Sequence, residues 1–320
     1  MKDLIHYDII GDIHGRFDKL KALMERMGYR SEGEGFIPPS GHKALFLGDL
    51  IDPKPGHEFP GGVRATLHAV KAMVDADDAL CLMGNHELNA IYFHSQGPAG
   101  RPLRHHGPKN VRMHAGTLAD FPDHEDPAGE WLSLWLPWMK RLPFYLDLGG
   151  FRAVHATWHP EFIDRLDGRD FEDEAFFLAA SDKSTPEGEA LETLLKGVEV
   201  GLPDGIGFQD HTGAWRSNIR VRWWELPNGG IDYNGLVFPP NPSIPAEPVK
   251  REAFAGIPGY AIEAKPVFFG HFFKPGRSPL SPERPNVACL DYSASNDGPL
   301  VAYRWNGCEC VHPEHYICHE

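Results

Sequence analysis

The sequence has little cysteine and no long apolar run. Only five of its 320 residues are cysteine, an odd number that does not suit a disulfide framework, and Cys81 and Cys289 lie in apolar runs typical of a core. No apolar run approaches the roughly 18 residues of a membrane-spanning helix, and the start of the chain has none long enough for a secretory signal. We therefore expect a cytoplasmic protein in a reducing compartment, with no membrane partner.

The sequence also has fewer basic than acidic residues. The chain has 31 Lys and Arg against 45 Asp and Glu, which gives a formal net charge of −14. Such a balance disfavours binding to long nucleic acid, because that binding needs basic side chains that displace counterions from the phosphates. A small anionic substrate is still compatible with this charge, since bound divalent cations would reverse its sign locally.

The first 90 residues alternate between short apolar runs and segments with helical spacing. The runs at 7–11, 44–47 and 79–83 predict strands, whereas 17–27 and 63–74 carry apolar residues three and four positions apart. This alternation predicts βαβ units and a buried, mostly parallel sheet.

The later part of the chain predicts strands separated by Gly and Pro turns, with fewer helices. The predicted strands are 144–148, 151–154, 219–224, 266–269, 287–290 and 301–305. Residues 95–130 predict a long ordered insertion near the site, and the proline-rich residues 238–248 predict an irregular surface segment. No internal repeat or clear domain boundary is evident.

Polar residues follow the predicted strands at the points where they end. Three strands run directly into Gly-Asp or Gly-Asn, and the glycine lets the backbone approach closely. Because the carboxyl ends of parallel strands meet in one crevice, we expect these side chains to come together. The residues with this placement are Asp12, His14, Asp49, Asn85, His155 and His271.

The chemistry of these side chains predicts a metal centre. Carboxylate and imidazole ligands suit manganese, iron, zinc or nickel better than calcium or magnesium. A carboxylate such as Asp49 can bridge two ions, and Asn85 adds a neutral oxygen. A single Gly-Asp is more often a turn, and a single strand-end histidine is more often a structural residue. It is the joint occurrence of these elements, in this order, that indicates metal binding.

The motifs resemble those of the calcineurin-like metallophosphoesterase superfamily. Within it, the chain most resembles the branch that contains serine/threonine protein phosphatases and bacterial diadenosine tetraphosphate hydrolases. The segments that carry the resemblance are GDIHG at 11–15, GDLID at 48–52, GNHE at 84–87, VHA at 154–156 and GH at 270–271, with supporting similarity at 138–146 and 288–292.

The resemblance implies a four-layer α/β/β/α sandwich, in which helices flank two mixed β-sheets and the metal site lies at the carboxyl ends of strands. It covers residues 8–155 and 266–305, so we expect a single domain over 1–320 with insertions near 95–130 and 157–265. It also implies two divalent ions, manganese first, with iron, zinc or nickel as alternatives. One ion would be held by Asp12, His14 and Asp49, and the other by Asp49, Asn85, His155 and His271, with Asp49 bridging.

The implied reaction is hydrolysis of a phosphate ester by in-line attack of a hydroxide that bridges the two metals. His86, next to Asn85, is assigned as the general acid, and Asp52 would orient and charge its imidazole. The alternative for His86 is a structural histidine beside the metal ligands. Glu87 is expected to be structural.

The chain departs from the protein-phosphatase pattern at Pro53 and Met83, where that branch usually carries arginine. Neither residue can bind phosphate bidentately as a guanidinium does. Substitutes are sought among the cationic residues Lys54, Arg101, Arg104, His105, Lys196, Arg220 and Arg222. Arg104 and His105 are preferred as substrate contacts, because they follow the third motif shortly.

Three functions are therefore compared. The first is a phosphatase for phosphate monoesters, such as phosphoserine or phosphothreonine in proteins. The second is a hydrolase of dinucleoside polyphosphates or another phosphodiester, for which Trp215, Trp223 and Trp224 would offer stacking surface if they are not core residues. The third is a non-catalytic scaffold, which the complete ligand set argues against. The expected partner is a phosphorylated small molecule, a nucleotide or a phosphoprotein.

Overall fold

Two β-sheets form the centre of the molecule. The computed structural model describes residues 5–98, 100–203, 205–209, 215–225 and 231–319; residues 1–4, which entered the secretory-signal expectation, lie outside this part. The strands are β1 (His6–Ile10), β2 (Arg30–Glu32), β3 (Gly35–Ile37), β4 (His42–Phe46), β5 (Ala79–Cys81), β6 (Tyr145–Asp147), β7 (Arg152–Val154), β8 (Glu199–Gly201), β9 (Phe208–Gln209), β10 (Trp215–Arg216), β11 (Asn218–Arg220), β12 (Val267–Phe269), β13 (Val287–Cys289), β14 (Val301–Trp305) and β15 (Tyr316–Cys318).

Helices connect the strands and cover the sheets. The α-helices are α1 (Phe17–Arg26), α2 (Gly62–Asp75), α3 (Asn85–Phe93), α4 (Pro108–Ala119), α5 (Leu136–Met139), α6 (Pro160–Leu166), α7 (Glu174–Ser181), α8 (Pro186–Lys196) and α9 (Tyr233–Leu236). A π-helical turn spans Trp131–Trp135, and 3₁₀ turns span Arg251–Phe254 and Pro313–His315. Within the described part of the chain, no helix is both long enough and apolar enough to cross a bilayer.

Both sheets are mixed, as the resemblance implies. The first has the order β15-β14-β1-β4-β5, in which β1, β4 and β5 are parallel and β14 and β15 are antiparallel. The second has the order β13-β12-β7-β6, in which only β6 is antiparallel to its neighbour. The predicted parallel strands β1, β4 and β5 therefore form one side of the first sheet, and antiparallel strands complete it.

The sheets pack face to face through alternate residues of their strands. Ile9 and Leu45 from the first sheet share a buried cluster with Phe268 from the second and with Phe151, which immediately precedes β7. The rings of Phe151 and Phe268 meet edge to face, with centroids 5.6 Å apart. Because successive side chains of a strand point to opposite faces, their neighbours face outward.

Helices and irregular segments cover the two outer faces. Ile10 and Phe46, the strand neighbours of the inter-sheet residues, belong to the cluster that contains Leu20 of α1, and α2 contacts β5. On the second sheet, Phe269 packs against Trp223, with ring centroids 5.4 Å apart, and the backbone of Ala156 donates to a carbonyl of α8. The layer order is therefore the expected α/β/β/α.

One predicted strand is largely wrong. Residues 219–224 were expected to form a strand, but β11 ends at Arg220 and Trp223 and Trp224 lie in a turn. Both indoles are buried, and they pack against each other and against Phe269. The apolar run at 219–224 therefore reflects burial of two indole rings and not strand pairing. Because both indoles are buried, they offer no stacking surface to a ligand.

Burial between the sheets yields a test of the core. Phe268→Ala should lower the free energy of unfolding by about 3–5 kcal/mol, because Phe268 is 0% exposed and its loss leaves a cavity between two sheets. Phe59, which is 41% exposed, is the matched control, and Phe59→Ala should change stability by less than about 1 kcal/mol. Chemical denaturation of both variants measures the difference, and equal losses would contradict the inter-sheet core.

Candidate metal centre and active site

The polar residues predicted at strand ends lie together at one edge of the two sheets. Asp12 follows β1, Asp49 follows β4, and Asn85 begins α3 directly after β5. From the second sheet, His155 follows β7 and His271 follows β12. The parallel strands thus deliver ligand-type side chains from both sheets to one crevice.

The loops at this edge hold several non-glycine residues in the left-handed region. The φ angles are 50° at His14, 52° at Asp49, 60° at Asp52 and 65° at His271. Such residues are uncommon and cluster at functional sites, where the surrounding structure fixes them. Here the backbone N–H groups of Ile13 and His14 both donate to the Asp49 carbonyl, at 3.0 and 2.8 Å, and so join the first loop to the second.

Two glycines make room for the carboxylates. A Cβ at Gly270 would lie 1.9 Å from Asp12 Oδ1, and a Cβ at Gly84 would lie 2.3 Å from Asp49 Oδ1. Any other residue would collide with these oxygens, so the glycine before each polar residue has a steric cause as well as a conformational one.

Asp49 lies between two groups of imidazoles. Its Oδ1 is 3.4 Å from His155 Nε2, and its Oδ2 is 3.7 Å from His14 Nε2 and 3.9 Å from His86 Nε2. Two sets of potential ligand atoms therefore share this carboxylate, and they are His14, Asp49 and His86, and Asp49, His155 and His271.

Asn85 and Asp12 complete the predicted set. Asn85 Oδ1 is 3.1 Å from His155 Nε2 and 2.5 Å from His271 Nδ1. The backbone N–H of His271 donates to Asp12 Oδ2 at 2.9 Å. The structure thus brings all six predicted ligand residues together.

The imidazole tautomers indicate that something positive belongs between these atoms. His155 Nδ1 donates to the Leu47 carbonyl at 2.8 Å, so a neutral ring directs its Nε2 lone pair at oxygens of Asp49 and Asn85. His14 Nδ1 is likewise 3.0 Å from the carbonyl of Ile51, which leaves its Nε2 for Asp49. A lone pair facing oxygen is repulsive unless a proton or a cation lies between them.

Orphaned polar atoms point the same way. Asp12 Oδ1 and His271 Nε2 are buried and have no hydrogen-bond partner among the described residues. Burial and the neighbouring Asp291 carboxylate raise the pKa of Asp12, whereas burial and the Arg220 guanidinium lower the pKa of His271. Carboxylates crowded beside imidazoles are a donor set that fits divalent transition metals.

His86 and Asp52 form the predicted pair. His86 Nδ1 is 2.9 Å from Asp52 Oδ2. Burial lowers the pKa of His86, but the Asp49 and Asp52 carboxylates more than offset this and raise it to about 9. The pKa of Asp52 lies below its usual range because hydrogen-bonded His114 and His86 outweigh the effect of its burial. A protonated imidazole backed by a carboxylate is suited to donating a proton.

Glu87 fastens the loops. Its buried carboxylate accepts hydrogen bonds from the backbone N–H groups of Asp49, Leu50 and Gly84, at 2.8, 2.8 and 2.9 Å. These contacts join the loop after β4 to the start of α3. They account for the structural role expected of Glu87.

Asp291 lies at the site but was missed as a candidate. It is buried directly after the 287–290 segment, and burial raises its pKa to about 6. Its carboxylate acts on the pKa of Asp12. The signal that could have found it is the one used for Asp12 and Asp49, a carboxylate immediately after an apolar strand.

The structure shows what surrounds Arg104 and His105, the residues predicted to contact substrate. The Arg104 guanidinium donates to the side-chain oxygens of Asn89 and Asn110, at 2.6 and 3.1 Å, and His105 is exposed. Lys196 pairs with Glu192. The substrate roles of Arg104 and His105 stay predictions.

Arg220 is electrostatically coupled to the centre. Burial lowers its pKa, while the Glu199 carboxylate and, to a smaller degree, those of Asp291 and Asp49 act to raise it; the guanidinium in turn lowers the pKa of His271. Met83, which stands where the related protein phosphatases usually carry an arginine, is wholly buried.

A two-sheet sandwich with carboxylate, imidazole and amide side chains gathered at strand ends is the arrangement of a class of metallohydrolase folds. The family described as calcineurin-like phosphoesterase matches residues 5–190, more than half of the chain. The chain belongs to this family, which implies divalent metal ions.

Known relatives share part of the chain. Bis(5'-nucleosyl)-tetraphosphatase PrpE (asymmetrical) of Bacillus cereus strain B4264 is 43% identical over 171 residues, 50% of this chain and 61% of that protein. The protein of the same name from Geobacillus thermodenitrificans strain NG80-2 is 30% identical over 173 residues, with 51% and 62% covered. The chain thus spans about three-fifths of the length of these relatives. A cold-active protein-tyrosine phosphatase from a Shewanella species is 14% identical with a TM-score of 0.47, covering 100% of this chain and 83% of that one.

The role of Glu87 is open to a direct test. Glu87→Ala should lower the free energy of unfolding by about 3–5 kcal/mol, because three buried N–H groups lose their acceptor. Glu161→Ala is the control, since Glu161 is exposed and pairs with Arg165 across one helical turn, a contact that should contribute less than about 1 kcal/mol. Urea denaturation compares the two, and similar midpoints would show that the amides find other acceptors.

Proposed function

We propose that this chain is a metal-dependent phosphoesterase that hydrolyses phosphate esters. The observation that carries the proposal is Asp49, a buried carboxylate whose oxygens face the imidazoles of both candidate ligand clusters. Membership of the calcineurin-like phosphoesterase family supports it. The intact ligand set also favours an enzyme over a non-catalytic scaffold.

Two divalent ions would be held with Asp49 between them. Asp12, His14 and Asp49 would hold one ion, and manganese is proposed first, with iron, zinc or nickel as alternatives. The orphaned atoms of Asp12 and His271 support these assignments. When bound, the cations lower the pKa of a water molecule and neutralise charge on the phosphoryl oxygens. The other ion would be held by Asp49, Asn85, His155 and His271.

His86 would supply the proton that the leaving group needs. Its Nδ1–H donates to Asp52, which leaves the Nε2–H directed to the side of Asp49. As the ester P–O bond breaks, this proton passes to the leaving oxygen. The alternative is that His86 is itself a ligand, because its Nε2 belongs to the cluster of His14 and Asp49.

Arg220 would bind the substrate phosphate in place of the absent arginines. Its charge acts on the pKa of His271, and the Asp291 and Asp49 carboxylates act on its own pKa, so the guanidinium lies near the candidate metal ligands. A planar guanidinium can bind two phosphoryl oxygens at once. This arrangement supplies the clamp that Pro53 and Met83 cannot.

Dinucleoside polyphosphates are the second candidate substrate class. The relatives above carry the name bis(5'-nucleosyl)-tetraphosphatase. Trp215 is 65% exposed on β10, next to Arg216, which acts electrostatically on Arg220. An exposed indole close to cationic side chains suits a nucleobase with attached phosphates. A phosphoprotein substrate is less favoured, because Pro53 and Met83 stand where protein phosphatases usually carry arginine.

Metal stoichiometry tests the shared carboxylate. Asp49→Asn should lose both ions together, because one carboxylate serves both clusters, whereas Asp12→Asn should weaken chiefly one. Elemental analysis after dialysis gives ions per chain for wild type and both variants, reconstituted with Mn²⁺. An Asp49→Asn protein that still holds two tightly bound ions would rule out the shared role.

Substrate assays test the reaction. With Mn²⁺, Ni²⁺ or Zn²⁺, the protein should hydrolyse at least one of p-nitrophenyl phosphate, bis-p-nitrophenyl phosphate, a phosphopeptide and diadenosine tetraphosphate. No hydrolysis of any of them would refute the proposal.

His86→Ala should lower kcat by roughly 10²–10³-fold while two metals stay bound, since a general acid contributes on that order. Loss of a metal instead would make His86 a ligand.

A further inference from the structure

A helix of the 95–130 segment holds the carboxylate that supports His86. Asp52 Oδ1 accepts hydrogen bonds from His114 Nδ1 at 2.7 Å and from Thr117 Oγ1 at 2.6 Å, both on α4. Asp52 Oδ2 accepts from His86 at 2.9 Å. One carboxylate oxygen of Asp52 therefore contacts α4, and the other contacts His86.

The same helix fixes the backbone of this loop. The Asp52 N–H donates to Thr117 Oγ1 at 2.8 Å, so one hydroxyl contacts both the backbone and the side chain of Asp52. Asp52 adopts a φ of 60°, which needs support from its surroundings. Next to it, a Cβ at Gly116 would lie 2.7 Å from Pro53 Cγ, so α4 packs directly on the proline.

His114 is itself held in one orientation. It is buried, and its Nε2 lies 3.2 Å from Nε2 of His94. One hydrogen bond therefore joins the His114 and His94 rings. Burial and the His114 ring lower the pKa of His94 to about 3, so His94 stays neutral. A continuous row runs from His94 through His114 and Asp52 to His86.

We infer that His114 is a positioning residue for the general acid. By occupying Asp52 Oδ1 together with Thr117, it keeps Oδ2 on His86 Nδ1 and so keeps the Nε2–H facing the leaving-group oxygen. This inference rests on the proposed phosphoesterase function. During the reaction the proton moves from His86 Nε2 to the leaving oxygen, which retains the electron pair of the broken P–O bond. The oxygen of hydroxide, formed when water gives a proton to solvent, makes the new P–O bond, and solvent returns a proton to His86.

This role has a consequence that simple structural support does not share. The leaving group of p-nitrophenyl phosphate is a weak base, so it departs as the anion with little need of a proton. An ester with a poor leaving group, such as phenyl phosphate, depends on proton donation. Misplacing the acid should therefore slow the second ester more than the first, whereas a general loss of folded enzyme slows both equally.

The test uses one disrupting and one conservative substitution. His114→Leu removes the Nδ1 donor at similar volume, and His114→Asn places an amide N–H near the position of Nδ1. With metal-loaded enzyme, His114→Leu should lower kcat for phenyl phosphate roughly 10- to 100-fold more than for p-nitrophenyl phosphate, with KM unchanged. His114→Asn should restore most of the difference. His124→Gln is the matched control, because His124 contacts the Phe121 carbonyl and not Asp52.

A second measurement is independent of activity. Long-range ¹H–¹⁵N spectra of the histidine rings in metal-free protein should show Nδ1 of His86 protonated and held in a single hydrogen-bonded state, in wild type and in His114→Asn. In His114→Leu this single state should be lost. Equal losses on both esters, or an unchanged His86 spectrum in His114→Leu, overturn the positioning role and leave the proposed function intact. A wild-type enzyme that cleaves neither ester, nor any substrate of the wider panel, refutes the proposed function and this inference with it.

Discussion

The centre of this protein depends on keeping one carboxylate charged away from water. Asp49 is buried, which by itself would raise its pKa, yet His155, His86 and His14 hold that pKa well below its usual range. The backbone N–H of His86 also donates to Asp49 Oδ1 at 2.9 Å. Burying an unpaired charge is costly, so the surrounding imidazoles must be brought close and kept there.

The two-sheet architecture meets that requirement by geometry. The parallel strands of both sheets end at one edge, where His14, Asp49 and His271 adopt left-handed backbone. Strain of this kind persists only where neighbouring contacts outweigh it. Glu87 provides such contacts for two of the loops at once, since a single carboxylate accepts from three backbone amides. The same hydrogen bonds therefore stabilise the fold and fix the positions of the candidate ligands.

The sequence allowed the site to be predicted where chemistry and strand periodicity coincide. Asp12, Asp49 and Asn85 follow apolar strands through glycine, so their convergence could be inferred without coordinates. His114 could not be found this way, because it lies on a helix in a segment with no strand to fix its direction. The 219–224 run failed for a related reason, since tertiary burial of two indoles imitates the apolar pattern of a strand.

The packing of Gly116 on Pro53 separates two tasks of the molecule. The candidate metal ligands come from segments that follow sheet strands, whereas Asp52, the partner of the proposed acid, is held by α4 of the 95–130 segment. The proposed metal site and the support of the proposed acid thus depend on different parts of the fold. Pro53, which stands where the protein-phosphatase branch usually carries a charged arginine, is accordingly a packing residue for α4.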